Sequence, residues 1–502
     1  MSNVLDLVII GAGLSGIGAA CRYVTEFPDG NFTVLEARDA IGGTWDLFRY
    51  PGIRSDSDML TLGYDFRPWK GAKTLADGPA IRDYVRDTSR EYGIDPKIQF
   101  NSRVVATDFS TADDIWTLTI ETDGQSRTIK TRFILSCAGY YHYDKAHDPE
   151  FAGRDDFPGD IIHPQFWPEG FDYAGKRIAV IGSGATAATL VPILARTAAH
   201  VTQVQRTPSY VAAIPSEDPI NKLTSKIMSD SLSVKFNRWK NIKLAQYFYG
   251  RAQANPDRAR ANIRKRTINA LGEDYPVDTH FNPPYNPWDQ RMCMIPDGDL
   301  FTSINLGKAS IVTGQIDRFN AGGILMQDGT QVDADVIVTA TGLSLNYATN
   351  YPIKIDSEVQ AQNNSFTYKG VMMSGVPNIV AVFGYTNASW TLRADLMSRY
   401  VIRLIKHMKA TGMTRVVPIA PDDMERRPIL DFQAGYLKRV LHEMPSQGDR
   451  MPWLNIQNYK HDQKVLIDAP LVDEALRFSR ADANTPTASE GLTSEGIAEA
   501  AE

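Results

Sequence analysis

Two stretches of the chain share one order of apolar and polar segments. In the first, the apolar run Leu5–Ile10 leads into glycines, then into the amphipathic segment Leu14–Thr25 and a second apolar run, Phe32–Leu35. The second stretch repeats this order with Arg177–Ile181, Ala185–Ala195 and His200–Gln205. Short apolar runs bounded by turn residues indicate buried strands, and the longer segments between them indicate helices. The pattern therefore predicts two separate βαβ units.

The rest of the chain differs from these units. Between Ile220 and Leu271 the pattern predicts long helices, and Lys222 to Arg266 holds twelve basic and two acidic residues. Such an excess fits the solvated faces of inserted helices, or a positive surface that attracts an anionic cofactor or membrane lipid. Further strands are predicted at Ser310–Val312 and Val332–Thr339. A later helix would bury one face, formed by Leu396, Tyr400, Leu404 and Met408.

These elements predict an α/β protein with two Rossmann-like dinucleotide-binding domains and a helical insertion. The first domain is expected from residues 1–145 and 345–478. The second is expected from 146–215 and 289–344, with the insertion at 216–288. Residues 479–502 have almost no large apolar side chains, which predicts a disordered tail.

Composition and charge narrow the class of protein. The net charge of −6 disfavours general nucleic-acid binding, which uses a basic surface. No apolar run approaches the roughly 18 residues of a transmembrane helix, and the first residues do not form a signal peptide. Cys21, Cys137 and Cys293 are isolated, which fits a reducing compartment, so a cytoplasmic location is expected. The sequence indicates no metal site, and it does not reveal the oligomeric state.

The first glycine motif is Gly11-Ala-Gly13-Leu-Ser-Gly16, between a predicted strand and a predicted helix. Gly11 would permit the tight turn, Gly13 the approach of a pyrophosphate, and Gly16 the packing of helix on strand. Glu36 follows the second strand, where a carboxylate accepts hydrogen bonds from ribose hydroxyls. Together these features predict a dinucleotide site rather than a chance glycine turn, and the free ribose implied by Glu36 suits FAD.

The second motif is the variant Gly182-Ser-Gly184-Ala-Thr-Ala187. Arg206 stands after its second strand, where an arginine binds the 2′-phosphate of NADPH in place of a ribose hydroxyl. Thr207 would add a hydroxyl donor to the same phosphate. The alternative is an ordinary surface arginine at the end of a strand.

Two longer motifs resemble those of a known family. The segment from Phe157 to Pro168, FPGDIIHPQFWP, resembles the FxGxxxHxxxW(P/D) fingerprint of type I Baeyer–Villiger monooxygenases. A second family pattern begins with Gly42-Gly-Thr-Trp45, continues through Tyr50-Pro-Gly52 and ends at Asp56. The resemblance covers residues 4–478 and is strongest to the branch of the ethionamide-activating monooxygenase. Better-known cyclic-ketone enzymes have a tyrosine where this chain has Leu62, so linear aliphatic or aryl-alkyl ketones are the expected substrates.

The resemblance also implies the chemistry and several site residues. It implies that FAD, reduced by NADPH, binds oxygen as a C4a-peroxide that converts a ketone to an ester, with sulfide oxidation as a possible side reaction. Arg291 would be the cation that stabilises the negative charge, and Asp56 would pair with it. A helix cap is the alternative role for Asp56. Expected FAD contacts beyond the glycine motif are Thr44, Trp45, Asp56, Val104 and Asn387.

Other interpretations remain open at this stage. His163 is expected to be a hydrogen-bonded residue between the two domains rather than a general base. The nearest alternative enzyme is a flavin-containing monooxygenase that oxidises nitrogen or sulfur. A pyridine nucleotide–disulfide reductase would need a dithiol that the chain lacks. A non-catalytic flavoprotein that senses nucleotides is a further alternative, which Arg291 and Asp56 disfavour.

Overall fold

The first βαβ unit forms the middle of a large sheet. In the computed structural model, which describes residues 4–71, 73–290, 292–346, 349, 351–430, 437 and 439–481, this part of the chain contains six strands. They are β1 (Leu5–Ile10), β2 (Phe32–Leu35), β3 (Ile98–Gln99), β4 (Arg103–Ser110), β5 (Ile115–Thr122) and β6 (Gln125–Ser136).

The central strand of this sheet is β1, which lies between β2 and the second half of β6 and is parallel to both. β3 extends the sheet beyond β2, and Ile379–Ala381 runs parallel to β6 on the other side. β4, β5 and β6 form an antiparallel meander, which Ile353–Ile355 and Glu358–Val359 continue. All four residues of β2 are buried, as expected for a strand that is covered on both faces.

The second βαβ unit belongs to a separate sheet of five parallel strands. These are β7 (Asp160–Ile162), β8 (Arg177–Ile181), β9 (His200–Gln205), β10 (Ala309–Thr313) and β11 (Val336–Thr339). Their order across the sheet is β10, β9, β8, β11, β7. The first sheet is mixed and the second is wholly parallel, and in both the parallel strands of the βαβ unit are joined by a crossover helix, which confirms the predicted α/β fold.

One predicted strand is wrong. The segment Val332–Thr339 forms two strands, Gln331–Asp333 and β11, which belong to different sheets. The predicted strand is interrupted near Asp335. The backbone N–H of Asp335 donates to the carbonyl of Arg177, and its carboxylate accepts from the Arg177 side chain. These two contacts turn the chain from the small antiparallel sheet into the large parallel one, and the apolar pattern carries no sign of this turn.

The helices that were predicted agree with their segments to within a few residues, but the pattern did not reveal several short helices or the 14-residue helix Gly78–Glu91. The helices are α1 (Leu14–Glu26), α2 (Thr44–Leu47), α3 (Met59–Leu62), α4 (Gly78–Glu91), α5 (Ala185–Leu194), α6 (Pro219–Ile227), α7 (Asp230–Ala254), α8 (Pro256–Leu271), α9 (Val277–His280), α10 (Asp299–Asn305), α11 (Trp390–Thr411) and α12 (Tyr459–Gln463). The insertion is therefore helical, as predicted. The predicted apolar face of α11 is buried against the first sheet's core.

Small ribbons complete the fold. Their strands are Tyr141–Ala146 with Leu343–Leu345, Val211–Ile214 with Cys293–Pro296, Ile316–Asn320 with Gly323–Met326 and Gln331–Asp333, Thr367–Tyr368 with Met372–Met373, Arg415–Pro418 with Leu476–Ser479, and Arg427–Pro428 with Ser446–Gln447. None of the helices in the described ranges is both long enough and apolar enough to cross a bilayer.

The predicted tail overlaps the described part of the chain only at its start. Ser479 ends the strand Leu476–Ser479, which pairs with Arg415–Pro418. Residues 482–502 lie outside the described residues. The domain boundaries given above stay a prediction, because neither sheet by itself fixes where one domain ends.

Candidate active site

A cavity of about 640 Å³ opens at the carboxyl end of β1. This is the place where the chain crosses from β1 to β2 on one side while β6 lies on the other. Ligands of open α/β sheets bind at such switch points. Of the predicted FAD contacts, the following line the cavity: Gly11, Gly13, Glu36, Thr44, Trp45, Asp56 and Val104.

The glycines of the first motif divide into two kinds. Gly11 has a φ of +100°, and a Cβ there would lie 2.5 Å from the carbonyl oxygen of Cys137. A Cβ on Gly16, which does not line the cavity, would lie 1.8 Å from the carbonyl oxygen of Gly11. On Gly13 the nearest atom is 3.5 Å away, an ordinary contact. The protein's own packing therefore requires glycine at positions 11 and 16. Gly13 instead leaves room for a ligand.

Glu36 is held with its carboxylate toward the cavity. Its Oε2 accepts from the backbone N–H of Ala12 at 2.7 Å, and its Oε1 accepts from the N–H of Arg38 at 2.9 Å. Burial raises the pKa of Glu36, and the two N–H donors act against that rise by stabilising the charged form. Each oxygen keeps a lone pair that can accept a ribose hydroxyl.

Arg38 is a site residue that the sequence reasoning missed. It lines the cavity, and its Nη2 forms an ion pair with the buried Asp46 at 2.8 Å. Its Nη1 is buried and has no hydrogen-bond partner among the described residues. A buried guanidinium N–H without a partner is costly, and a phosphate oxygen would satisfy it. The residues present therefore fit a dinucleotide, and the basic residue two places after Glu36 was the available signal.

The other end of the cavity is formed by α3 and the start of α11. The hydroxyls of Thr61 and Ser389 lie 2.5 Å apart and join these two helices. The N-cap of α3 is Asp58, which accepts from the N–H of Thr61 at 3.0 Å. A capping role for Asp56 is therefore wrong, and Asp56 lines the cavity instead.

The N-terminus of α11 lies at this end of the cavity. The helix begins at Trp390, which lines the cavity and donates from Nε1 to the Ser15 hydroxyl at 2.9 Å. Asn387 does not line the cavity itself, although Thr386 and Ala388 do. Its amide donates to the carbonyl of Gln457 at 3.1 Å, which fixes the loop before the helix. The positive end of the helix dipole favours a negative charge at this position.

The second glycine motif lies outside this cavity, at the carboxyl end of β8. Gly182 has a φ of +142°, and a Cβ there would lie 2.4 Å from the carbonyl oxygen of Ala340. Nothing lies within 4 Å of a Cβ built on Gly184, and Ala187, in the first turn of α5, is fully buried. Arg206 follows β9 directly and is exposed, and Thr207 beside it is half-buried. The second motif thus repeats the arrangement of the first.

The segment Tyr50–Asp56 connects the two motifs. The buried Tyr50 side chain packs in the apolar core that contains Ala187, Leu190 and Val191 of α5, and burial raises the pKa of Tyr50. Gly52 leaves space for Ile193 of the same helix, since a Cβ there would lie 2.4 Å from Ile193 Cγ1. Arg54 forms an ion pair with Asp299 of α10 at 2.5 Å. The family pattern that ends at Asp56 therefore fixes the second unit against the cavity wall.

His163 uses both ring nitrogens in hydrogen bonds. Its Nδ1 accepts from the N–H of Gln165 at 3.1 Å, which leaves Nε2 to donate to the carbonyl of Gly342 at 3.2 Å. Burial lowers the pKa of His163, so the neutral ring is favoured. Because its lone pair is already engaged, the ring is poorly placed to act as a base. The role of His163 as a hydrogen-bonded residue between the two domains stays a prediction that these contacts support.

Arg291 lies outside the described residues, so its predicted role stays a prediction. Its expected partner Asp56 stands at the end of the cavity next to α3. The described arginines that line the cavity, Arg38 and Arg103, lie at the opposite end near Glu36.

Comparison with known proteins identifies the family. Residues 73–270 match the model of flavin-binding monooxygenase-like proteins, and residues 9–86 match an NAD(P)-binding Rossmann-like domain. The chain is 46% identical over 482 residues to the FAD-containing monooxygenase EthA of Mycobacterium tuberculosis, covering 96% of this chain and 99% of that protein. It is 42% identical over 484 residues to the probable FAD-binding monooxygenase AlmA of an Acinetobacter species, covering 96% and 97%.

A solved structure has the same fold and two bound cofactors. The crystal structure of OTEMO in complex with FAD and NADP superposes with a TM-score of 0.69 at 25% identity, covering 83% of this chain and 87% of that one. Identity to EthA and AlmA over nearly the whole of each chain, together with this fold, places the protein in the family of FAD-containing flavoprotein monooxygenases.

Proposed function

We propose that the protein is a Baeyer–Villiger monooxygenase that uses FAD, NADPH and molecular oxygen to convert ketones to esters. The observation that carries the proposal is the segment Tyr50–Asp56, which brings Asp56 to the cavity wall and contacts α5 of the second glycine unit. A carboxylate in that position can hold an arginine over the reacting atoms. The same segment sets the distance between the two nucleotide sites.

The flavin, when bound and reduced by NADPH, supplies the activated oxygen for the reaction. The chain's own residues bind the cofactor, orient it and shield the cavity from water. Glu36 accepts the ribose hydroxyls and Arg38 donates to the phosphates, while Trp45 and Trp390 cover the cavity against water. Arg291, held by Asp56, stabilises the negative charge that develops on the substrate oxygen.

Measured products decide between this function and nitrogen or sulfur oxidation. The purified holoenzyme is incubated with NADPH, oxygen and a panel of ketones, sulfides and tertiary amines, and products are scored by mass rather than by NADPH loss. Ester formation as the main reaction supports the proposal. Oxides of sulfides and amines without any ester would overturn it and assign the chain to the other activity.

We expect a preference for linear ketones over small cyclic ones. Leu62 lines the cavity and is buried, as are Phe383 and Tyr351 on its other walls. An apolar wall favours an extended alkyl chain because each buried methylene contributes about 0.8 kcal/mol. The kcat/KM for 2-decanone should exceed that for cyclohexanone by about tenfold or more. Efficient turnover of cyclohexanone with none of 2-decanone would contradict this expectation.

Arg206 is expected to set the preference for NADPH over NADH. Arg206→Ala removes charge-assisted hydrogen bonds to the 2′-phosphate, worth about 1.5–3 kcal/mol, or roughly ten- to hundred-fold in NADPH affinity. NADH lacks this phosphate, so its binding should change little. The measurement is the dissociation constant of each cofactor.

The matched control for this variant is Arg196→Ala, at an exposed arginine just after α5. It should leave the binding of both cofactors unchanged. If Arg206→Ala weakens NADH and NADPH equally, Arg206 has a structural role instead.

A further inference from the structure

Helices α6 and α7 carry an unusual concentration of exposed apolar side chains. Trp239 is 57% exposed, Leu223 59% and Ile227 70%. Soluble surfaces expose single apolar residues routinely, but a contiguous group indicates an interaction site. The large apolar residues exposed between positions 220 and 248 are Ile220, Leu223, Ile227, Leu232, Phe236, Trp239, Leu244, Tyr247 and Phe248.

These residues follow helical spacing. Ile220, Leu223 and Ile227 lie at i, i+3 and i+7 of α6, and Leu232, Phe236 and Trp239 lie at i, i+4 and i+7 of α7. The rings of Phe236 and Trp239 are neighbours, with centroids 6.1 Å apart. α6 and the first half of α7 therefore each have an apolar stripe, and both stripes are exposed. We call these six residues the apolar face.

The contact between the two helices is polar. Thr224, Ser233 and Asn237 are buried there, and the Asn237 amide donates to the Thr224 hydroxyl at 2.6 Å. The Ser233 hydroxyl donates to the same oxygen at 3.1 Å. In a surface helix of a globular protein the apolar stripe normally faces the core and the polar stripe faces water. Here the order is inverted, which indicates that the apolar face has a partner outside the folded chain.

The pair of helices is fixed firmly to the wall of the cavity. Arg238 donates to the carbonyls of Leu60 and Gly63 at 2.7 and 2.8 Å, and the Asn241 amide donates to the α3 cap Asp58 at 2.9 Å. The apolar face is thus presented by a rigid support. It also lies on the same structural unit as α3, whose Leu62 lines the cavity.

Charge identifies the kind of partner. From Glu217 to Ala254 the chain has seven basic and three acidic residues, although the whole chain carries a net charge of −6. Two of these acidic residues form ion pairs within the segment, Glu217 with Lys222 and Asp218 with Lys240. The lysines interspersed with the apolar face are exposed: Lys222, Lys226, Lys235 and Lys243. Lysines beside exposed aromatic and aliphatic residues are the signature of a helix that lies in the interface of an anionic membrane. A second copy of the chain, paired about a two-fold axis, would set these lysines against each other.

We propose that the apolar face docks on the surface of an anionic lipid bilayer. Its six residues enter the boundary between headgroups and acyl chains, and Lys226, Lys235 and Lys243 contact lipid phosphates. The membrane contact does not depend on the reaction proposed above. If that reaction is correct, docking would place the α3 wall of the cavity close to a source of lipid-soluble substrates.

The test is sedimentation of the full-length holoenzyme with vesicles. We expect binding to vesicles of equal parts phosphatidylglycerol and phosphatidylcholine that is about tenfold or more tighter than binding to phosphatidylcholine alone, and that weakens as salt rises. The double variant Phe236→Asp with Trp239→Asp should lose this binding. Lys235→Glu with Lys243→Glu should lose the preference for the anionic vesicles.

Leu306→Asp with Val359→Asp is the matched control, because both side chains are exposed apolar residues outside the apolar face. FAD content and melting temperature show that each variant is folded. Absence of vesicle binding by the wild type, or equal loss in the control, overturns the proposal. So does a self-association in analytical ultracentrifugation that Phe236→Asp with Trp239→Asp abolishes while vesicle binding is unchanged.

Discussion

Arg291→Ala is expected to retain FAD and to lose ester formation almost completely. Removing a preorganised donor to a developing oxyanion typically costs about 3–4 kcal/mol, or two to three orders of magnitude in rate. FAD should stay bound, since its proposed contacts are the first glycine loop, Glu36 and Arg38, which lie at the other end of the cavity. The measurement is product mass per enzyme, together with flavin absorbance and the NADPH consumed.

Two further variants and one control test whether the loss of activity in Arg291→Ala comes from the loss of a positioned cation. Arg291→Lys keeps the charge but not the planar fork, so it should recover little activity. Asp56→Asn should lower ester formation far more than it lowers FAD content, because it removes the carboxylate proposed to hold the arginine while the glycine loop, Glu36 and Arg38 remain to bind FAD. Arg477→Ala, at an exposed arginine in the strand Leu476–Ser479, is the control and should behave as the wild type. Near wild-type ester formation by Arg291→Ala would show that another group stabilises the charge.

The sequence pattern predicted the elements whose structure depends on neighbouring residues, namely the strands of the two βαβ units and the glycine turns. The strands β1, β2, β8 and β9 begin and end where the sequence pattern predicted, and the first three of them are largely apolar runs. A parallel strand that is buried on both faces is a continuous apolar run, and glycine or polar residues mark its ends. The glycine motifs could be interpreted for the same reason, because each requirement acts within one turn of chain.

Contacts between distant parts of the chain could not be predicted in this way. Asp335 breaks the run Val332–Thr339 through its contact with Arg177, which is remote in sequence. The contact of Gly52 with Ile193 is equally remote in sequence, so the pattern ending at Asp56 does not by itself reveal which helix it packs against. Recognition of the family by its motifs was confirmed by the comparisons, whereas the roles of individual site residues stay predictions.

The basic helical insertion shows a second reason why a sequence pattern does not determine function. Counting charges left two interpretations open, a solvated surface or a surface for an anionic partner. Both interpretations rest on the lysines and arginines. Which side of the helices faces the protein is shown instead by Thr224, Ser233 and Asn237, which are polar and yet buried. Periodicity reveals that a helix is amphipathic, but it does not reveal which side faces the protein. Only the packing of α6 on α7 determines that.

The second large effect is expected from a matched pair of glycine variants, Gly13→Ala and Gly184→Ala. Both glycines are helix N-caps with nearly the same backbone, φ −79° and ψ −172° for Gly13 and φ −81° and ψ −174° for Gly184. Alanine adopts these angles without strain. A Cβ at Gly13 meets only an ordinary contact, and one at Gly184 meets nothing within 4 Å. The protein's own packing should therefore tolerate both changes.

Each added methyl group occupies the space that the motif leaves for a pyrophosphate. Gly13→Ala is expected to weaken FAD binding by about a hundredfold, close to 3 kcal/mol of steric cost, and to leave NADPH binding intact. Gly184→Ala should do the reverse, keeping its flavin while losing NADPH affinity. Flavin fluorescence after dialysis measures the first cofactor, and titration with NADPH measures the second. Gly11→Ala and Gly182→Ala are the contrasting variants, since their methyl groups would lie 2.5 and 2.4 Å from backbone carbonyl oxygens and should lower the melting temperature. Loss of both cofactors in Gly13→Ala or in Gly184→Ala would mean that the two motifs do not serve separate sites.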